Sequence, residues 1–230
     1  MQKHRKAGFT RTELIVVCVV VALLALALHG AMGFMQSISG AKGTAMKNRA
    51  RGIWTSVISA NAERDPLGLP AVWPKDLGFD ACRTSTEYFS LLMRDDPSVL
   101  SNGVHSQICE DLRAPTLGGT GLPIAANRET FTSKNNAWQV ICVSTQTPPD
   151  VMFLLSRNVD VGKHVNARTP VRLNRKSPYK SDRCFYVTCG GACMDRREKY
   201  LNRIPPANSC ETGGILYDMG TNTTYDVMLP

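Results

Sequence analysis

The sequence lacks the short motifs that identify the common classes of enzyme. It has no G-x-S-x-G nucleophile turn, no H-E-x-x-H zinc-binding helix and no phosphate-binding loop. It also lacks the C-x-x-C pair that a thioredoxin-like redox protein needs. Only four histidines are present, and none has a convincing catalytic partner nearby in sequence. We therefore expect a protein that is not an enzyme.

Acidic residues are absent from the first eight positions, where Lys3, Arg5 and Lys6 supply three of the eight net positive charges. Without this leader the chain would be only mildly basic. Its other basic residues are interspersed with acids, as in the run Asp195-Arg196-Arg197-Glu198-Lys199. Such mixing is typical of a solvated surface, so we predict no nucleic-acid partner.

A long apolar run begins at Leu14 and continues to Met35, with His29 as its one strongly polar residue. As a helix, residues 14–35 would span about 33 Å, enough to cross the hydrocarbon core of a bilayer, which is about 30 Å thick. The basic leader predicts a cytoplasmic N-terminus and an exported C-terminal part. The alternative is a secretory signal peptide that is cleaved off after the apolar run.

The residues before the apolar run indicate that this run stays on the mature protein and is not removed as a signal peptide. Residues 6–17 read KAGFTRTELIVV, in which a glycine is followed by a phenylalanine and then, four residues later, by a glutamate. This pattern resembles the prepilin cleavage and methylation motif of type IV pilins and type II secretion pseudopilins. Gly8, Phe9 and Glu13 match the motif, and the resemblance covers roughly residues 1–60.

The resemblance implies a processing route and a set of partners. A prepilin peptidase would cut between Gly8 and Phe9 and methylate the new amine of Phe9. The other partners would be an inner-membrane assembly platform, copies of this chain and other pilin-like subunits. The protein would cross a bacterial inner membrane once, with its N-terminus cytoplasmic and its head periplasmic. It would then join a periplasmic or cell-surface filament.

Glu13 is the residue on which assembly would depend. A carboxylate in a membrane helix costs about 2.5–3.5 kcal/mol at the bilayer centre and less near an end. In the family it faces the positive N-terminus of a neighbouring subunit, an attraction of about 4 kcal/mol at about 4 Å and an effective dielectric constant near 20. The alternative role is an interaction with the positive end of its own helix. Arg11 departs from the family pattern, which has apolar or small residues there, and this favours a minor subunit.

These features divide the chain into a leader at residues 1–8, an N-terminal helix at 9–62 and an exported head at 63–230. The helix comprises the membrane anchor, residues 14–35, and an amphipathic half, residues 36–61. From the end of the anchor onward, apolar residues recur at steps near three or four, as expected for one buried helix face. They are Phe34, Ile38, Ala41, Ala45, Ile53 and Val57, with Trp54 and Ile58 alongside.

The head is predicted to contain a second helix and several strands. Thr84 and Glu87 form a capping box in front of an apolar helix. Strands are expected at residues 138–143, 151–155, 184–188, 214–217 and 225–229. A long helix followed by strands indicates the α+β class. The resemblance implies a pilin-like arrangement, with an antiparallel sheet packed on the C-terminal half of the N-terminal helix.

Cysteine is frequent for a chain of this length. Cys18 lies in the apolar run, and the other seven lie in the head. This density predicts an oxidising compartment and roughly two or three disulfides of open connectivity. The candidate disulfide cysteines are Cys82, Cys109, Cys142, Cys184, Cys189, Cys193 and Cys210. Zinc binding by the last four is less favoured, because only Cys189-x3-Cys193 approaches a usual zinc spacing.

No cofactor is predicted, with calcium as a weak alternative. Asp218, Asn222 and Asp226 would supply oxygen ligands near the C-terminus, but polar turn residues give the same pattern. The leading interpretation is a structural filament subunit of a surface pilus, a secretion pseudopilus or a DNA-uptake fibre. The alternative is a membrane-tethered periplasmic binding protein or adhesin that carries a prepilin-type signal, and a tethered enzyme is less favoured still.

Intact-mass analysis of the membrane-extracted protein tests the processing prediction. We expect a chain that begins at Phe9 and carries one methyl group on its terminal amine, because the motif directs cleavage to the Gly8–Phe9 bond. An N-terminus near residues 28–32 would instead identify an ordinary signal peptide and would contradict the filament interpretation.

Overall fold

Helix α1, Arg11–Arg64, is the first element of the computed structural model. Its 54 residues contain no proline. The first proline of the chain, Pro66, lies in a 3-10 turn, Asp65–Leu67, directly after the helix. Gly68 ends that turn with φ at 65°, a left-handed conformation that glycine adopts without steric cost. The helix therefore ends three residues beyond the predicted limit at residue 61.

The structure describes residues 11–80, 82–95, 107–166, 169, 171–174, 183–197 and 223–230. Within helix α1, the side chains of residues 26–39 lie outside this description. The chain divides into two compact units, Met1–Thr44 and Ala45–Pro230. Residues 45–64 of helix α1 thus belong to the same unit as the head.

The described part of the head contains eight strands, which pair throughout in antiparallel fashion. They are β1 Trp138–Ile141, β2 Met152–Ser156, β3 Val159–Asp160, β4 His164–Val165, β5 Arg172–Leu173, β6 Arg183–Thr188, β7 Cys193–Arg197 and β8 Tyr225–Met228. Six of them form one sheet in the order β4-β8-β1-β2-β6-β7, and β3 pairs with β5. The predicted α+β class and antiparallel sheet are confirmed.

Four predicted strands are confirmed as β1, β2, β6 and β8, with ends that shift by one or two residues. The strand predicted at residues 214–217 lies outside the described residues. Strands β3, β4 and β5 were not predicted, because two residues are too few to show an alternating pattern. Strand β7 was not predicted either, because its mixed charges are typical of a solvated surface. Strand β7 owes its conformation to pairing with β6.

The middle of the large sheet is covered on both faces. Strands β1 and β2 are buried at every residue, and successive strand residues point to opposite faces. Helix α2, Ser85–Leu92, contacts β1, where Ser85 Oγ donates a hydrogen bond to the carbonyl of Trp138 at 2.8 Å. The predicted capping box is confirmed, because Thr84 accepts from the backbone N–H of Glu87 and the Glu87 carboxylate accepts from that of Thr84.

Residues 45–64 of helix α1 bury a single stripe of side chains in the core of the head. The stripe consists of Met46, Ala50, Ile53, Val57 and Ala60, each at most 2% exposed. Their steps of four and three keep them on one helix face. The predictions for Ile53 and Val57 are confirmed, but Ala41 and Ala45 are exposed and were wrongly included. Residue 45 is turned about 100° from residue 46 around the helix, so it lies beside the stripe. Phe34 and Ile38 lie outside the described side chains.

Trp54 fixes helix α1 against the turn between β6 and β7. Its indole Nε1 donates a hydrogen bond to the carbonyl of Cys189 at 2.9 Å. The Trp54 ring lies directly against Gly191, where an added Cβ would be 2.7 Å from the ring atom Cζ2. Gly191 also has φ at 85°. Both the backbone conformation and the available space therefore require glycine at this turn.

Gly191→Ala should destabilise the head more than the matched variant Gly162→Ala. Both positions have positive φ, 85° and 72°, but nothing lies within 4 Å of a Cβ added at Gly162. Gly162→Ala should cost only backbone strain, about 1–2 kcal/mol. Gly191→Ala should add the cost of displacing Trp54, about 1–3 kcal/mol. Urea unfolding in detergent, followed by tryptophan fluorescence, measures both. Equal losses would show that Trp54 does not constrain the turn.

Candidate functional site

Of the three residues that match the prepilin motif, the structure describes Glu13, which lies at the start of helix α1. Arg11 is the first residue of the helix, and Glu13 lies in its first turn with an exposed side chain. The helix dipole favours a negative charge at this end. Gly8 and Phe9, the predicted cleavage and methylation positions, lie outside the described residues.

Apolar side chains surround helix α1 directly after Glu13. Nine of them are between 48% and 62% exposed, namely Leu14, Ile15, Val16, Val17, Val19, Val20, Val21, Leu23 and Leu24. Consecutive helix residues are about 100° apart, so these side chains leave no polar face. An exposed apolar surface of this extent is typical of a segment that contacts lipid or another protein.

The membrane anchor was predicted at residues 14–35. That range extends into residues 26–39, of which the side chains are not described. Across the described residues, no helix is sufficiently long and apolar to cross a membrane. The anchor stays a prediction.

Three charged side chains join helix α1 to strands β6 and β7. Lys47 Nζ lies 3.1 Å from Asp195 Oδ1, and Arg183 Nη1 lies 2.7 Å from Asp195 Oδ2. Burial raises the pKa of Asp195, but the hydrogen bonds and charges of Arg183 and Lys47 outweigh this effect, so the pKa lies below its ordinary value. One carboxylate, whose side chain is 19% exposed, thus connects the β6–β7 hairpin to the helix.

This cluster was not predicted from the sequence, because Asp195 lies in a run of mixed charge that is typical of a solvated surface. Asp195 instead lies on β7 with a largely buried side chain. The sequence does contain one signal for the position of Asp195. If residues 193–195 form a strand, Asp195 shares a face with Cys193, two residues earlier. Cys193 Sγ donates a hydrogen bond to the carbonyl of Lys47 at 3.2 Å. Both residues therefore point at the same turn of helix α1.

The six described cysteines of the head carry free thiols. They comprise the exposed Cys82, the buried Cys109, Cys142 and Cys184, and the half-buried Cys189 and Cys193. Burial raises the pKa of the three buried thiols and of Cys189 to about 12. Such thiols are protonated at neutral pH and react slowly. Cys210 lies outside the described residues, and disulfide pairing stays a prediction.

Of the three calcium candidates, only Asp226 lies within the described residues. It is on strand β8, and its Oδ1 lies 2.8 Å from Nδ1 of His164 on the neighbouring strand β4. Asp218 and Asn222 lie outside the described residues. Where the chain is described, no group of three His, Cys, Asp or Glu side chains is arranged to hold a metal ion.

Asp195→Asn should destabilise the head in a pH-dependent way. Because folding lowers the pKa of Asp195, its charge stabilises the folded state above the ordinary value of 3.8, and this contribution disappears as the pH falls through the lower folded pKa. We expect a loss on the order of 1–2 kcal/mol near pH 7. Urea unfolding at several pH values should show the loss shrinking below about pH 4.

Asp160→Asn provides the control, because Asp160 is exposed on strand β3. That variant should lose less stability near pH 7 than Asp195→Asn, because its exposed carboxylate is opposite a single arginine, Arg172, across the strand pair. A loss from Asp195→Asn that stays constant down to pH 2 would contradict the role given to the carboxylate charge.

No protein-family model matches the chain, and neither a curated protein nor a solved structure matches it.

Proposed function

We propose that the chain is a structural subunit of a type IV pilus-like or type II secretion pseudopilus filament, assembled through helix α1. The observation that carries the proposal is the apolar surface that surrounds the helix at residues 14–24, directly after Glu13. A filament in which these helices pack side by side would cover that surface. A lipid bilayer would cover it in the subunit before assembly.

The energies are consistent with assembly through this segment. Full burial of one Val, Leu or Ile side chain stabilises by about 1.5–3 kcal/mol, so a half-exposed side chain would gain about 1 kcal/mol. Nine such side chains follow Glu13. Their combined gain exceeds the cost of about 2.5–3.5 kcal/mol for one carboxylate in apolar surroundings. The Glu13 carboxylate therefore does not prevent burial of this segment. It does disfavour any arrangement of the helices in which the carboxylate has no positive partner.

In the proposed filament, Glu13 faces the N-terminal amine of Phe9 on an adjacent subunit. This amine exists only after a prepilin peptidase has cut the Gly8–Phe9 bond. Cleavage thus supplies the charge that the carboxylate needs, and an unprocessed chain would lack it. Arg11 lies two residues before Glu13 and offers a competing positive charge, which favours the role of a minor subunit.

The attachment of residues 45–64 to the sheet also supports a structural role. Lys47, Trp54 and Ser56 all contact the head outside the helix, through Asp195, Cys189 and Cys109 respectively. Together with the buried apolar stripe, these contacts hold the helix at several points along its length. A subunit that is extracted from a membrane and stacked in a filament needs its helix to stay fixed in its head.

The proposed subunit moves from the inner membrane into the filament. The head is periplasmic while the helix is in the inner membrane, and an assembly platform in that membrane moves the subunit into the filament. The neighbours in the filament are copies of this chain and other pilin-like subunits. No catalytic activity is proposed.

Glu13→Val should abolish or slow filament assembly while leaving insertion, cleavage and folding of the head intact. Valine removes the attraction to the Phe9 amine without placing a new charge in apolar surroundings. Glu13→Asp should retain partial function, because it keeps the charge but shortens the side chain. The measurement compares sheared filaments with the membrane fraction, in cells that lack the wild-type copy.

Arg11→Leu serves as the paired variant. More filament than in wild type would show that Arg11 competes for the carboxylate of a neighbouring subunit, whereas an unchanged yield would place Arg11 outside the contact. A normal filament yield from Glu13→Val would contradict the role of Glu13. Absence of filaments from wild-type cells would contradict the proposal as a whole and favour a tethered binding protein or adhesin.

A further inference from the structure

A cleft of about 470 Å³ lies beside helix α2, and three arginines line it, Arg83, Arg94 and Arg128. Its volume is within the range of small-molecule sites, about 300–1,000 Å³. Arg83 and Arg94 flank helix α2, with Glu87 and Leu91 between them in the lining. Glu87 and Leu91 are four residues apart within the helix, so they lie on the same side of it. Arg128 comes from a separate loop and completes the cleft.

The arginines of this cleft carry charge that the described part of the chain does not neutralise. All three are exposed, and no carboxylate among the described residues lies within ion-pair distance of them. Glu87 is the one acid in the lining. Its Oε2 accepts the backbone N–H of Thr84 at 3.0 Å in the capping box. Three arginines and one glutamate give the lining a formal charge of +2.

The cleft also has an apolar wall, which is formed by Phe79 together with Leu77 and Leu91. Arg83 Cζ lies 6.0 Å from the centroid of the Phe79 ring, a distance at which the ring attracts a cation. The aromatic ring thus helps to keep this guanidinium group at the cleft. A ligand that fits both parts of the lining would have a doubly negative group and an apolar body.

We propose that this cleft binds a small soluble phosphate monoester with an apolar or aromatic body. The dianionic phosphate matches the formal charge of +2 in the lining, and guanidinium groups bind phosphate oxygens through paired, charge-assisted hydrogen bonds. The apolar body would contact Phe79 and Leu91. This function goes beyond filament assembly, because neither processing nor helix packing uses these residues.

Isothermal titration calorimetry of the full-length chain in detergent tests the proposal, with phenyl phosphate as the probe. We expect saturable binding with a Kd below about 1 mM. Inorganic phosphate should bind more weakly because it lacks the apolar body, and phenol should not bind measurably because it lacks the charge. Raising the salt concentration should weaken binding, as expected for exposed charges.

Two variants with opposite expected effects make the test specific to the cleft. Arg94→Gln should weaken phenyl phosphate binding by about tenfold or more, because it removes a charged hydrogen-bond donor. Glu87→Gln should tighten binding by about three- to tenfold. Glutamine can still accept the Thr84 N–H in a capping box while the negative charge is lost. Damage to the fold would not tighten binding.

Arg172→Gln is the matched control, because Arg172 is an exposed arginine on strand β5 and is not part of the cleft lining. It should bind phenyl phosphate as tightly as wild type. Near-UV circular dichroism establishes that each variant is folded. The proposal is overturned if phenyl phosphate does not saturate the protein, if Arg172→Gln weakens binding as much as Arg94→Gln, or if Glu87→Gln fails to tighten it. Equal affinity for inorganic phosphate would also overturn it, since the apolar wall would then contribute nothing.

Discussion

The packing of residues 45–64 of helix α1 onto the sheet is the interaction on which the head depends. Five side chains of this segment are buried in the same core that contains strands β1, β2 and β6. Polar contacts fix the helix around this stripe, through Asp195 at one turn and the carbonyl of Cys189 at another. Apolar burial supplies most of the stabilisation, whereas the polar contacts select one position and rotation of the helix on the sheet.

Two cysteine thiols also help to select the position of helix α1 on the sheet. Cys109 Sγ donates to the carbonyl of Ser56 at 3.0 Å, and Cys193 Sγ donates to that of Lys47. Both acceptors belong to helix α1, so these cysteines contact the helix at two different turns. A thiol that donates a hydrogen bond must be reduced and protonated. The helix contacts therefore favour the thiol form of these two residues, even in a cysteine-rich chain.

The features that could be predicted from the sequence were local ones. Thr84 and Glu87 are three residues apart, and the capping box requires nothing beyond them. Strands β1 and β2 were predicted from short runs of strand-type residues between turn signals. Which face of helix α1 is buried was harder to predict. Ala45 and Met46 are both apolar, and the shape of the sheet decides which one is buried.

The features that could not be predicted depend on contacts across long stretches of chain. Asp195 forms an ion pair with Lys47, which is far away in sequence. Arg128, on a separate loop, lines the same cleft as Arg94. No spacing rule links such residues. Arg83 and Arg94 lie just outside the two ends of helix α2, so helical periodicity does not predict their shared cleft either. The motif at Gly8 and Phe9 was identified from the sequence alone and stays a prediction.

Strand β7 has a consequence for how heads behave when they are crowded together. It is the last strand of the six-stranded sheet, and among the described strands only β6 pairs with it. An open strand edge invites pairing with the edge of another molecule, and an inward-pointing charge on the strand is one way to discourage this. Asp195 is such a charge, held toward the helix by Lys47. The carboxylate that attaches the helix is thus also a charge that discourages pairing with another molecule along the edge seen among the described strands.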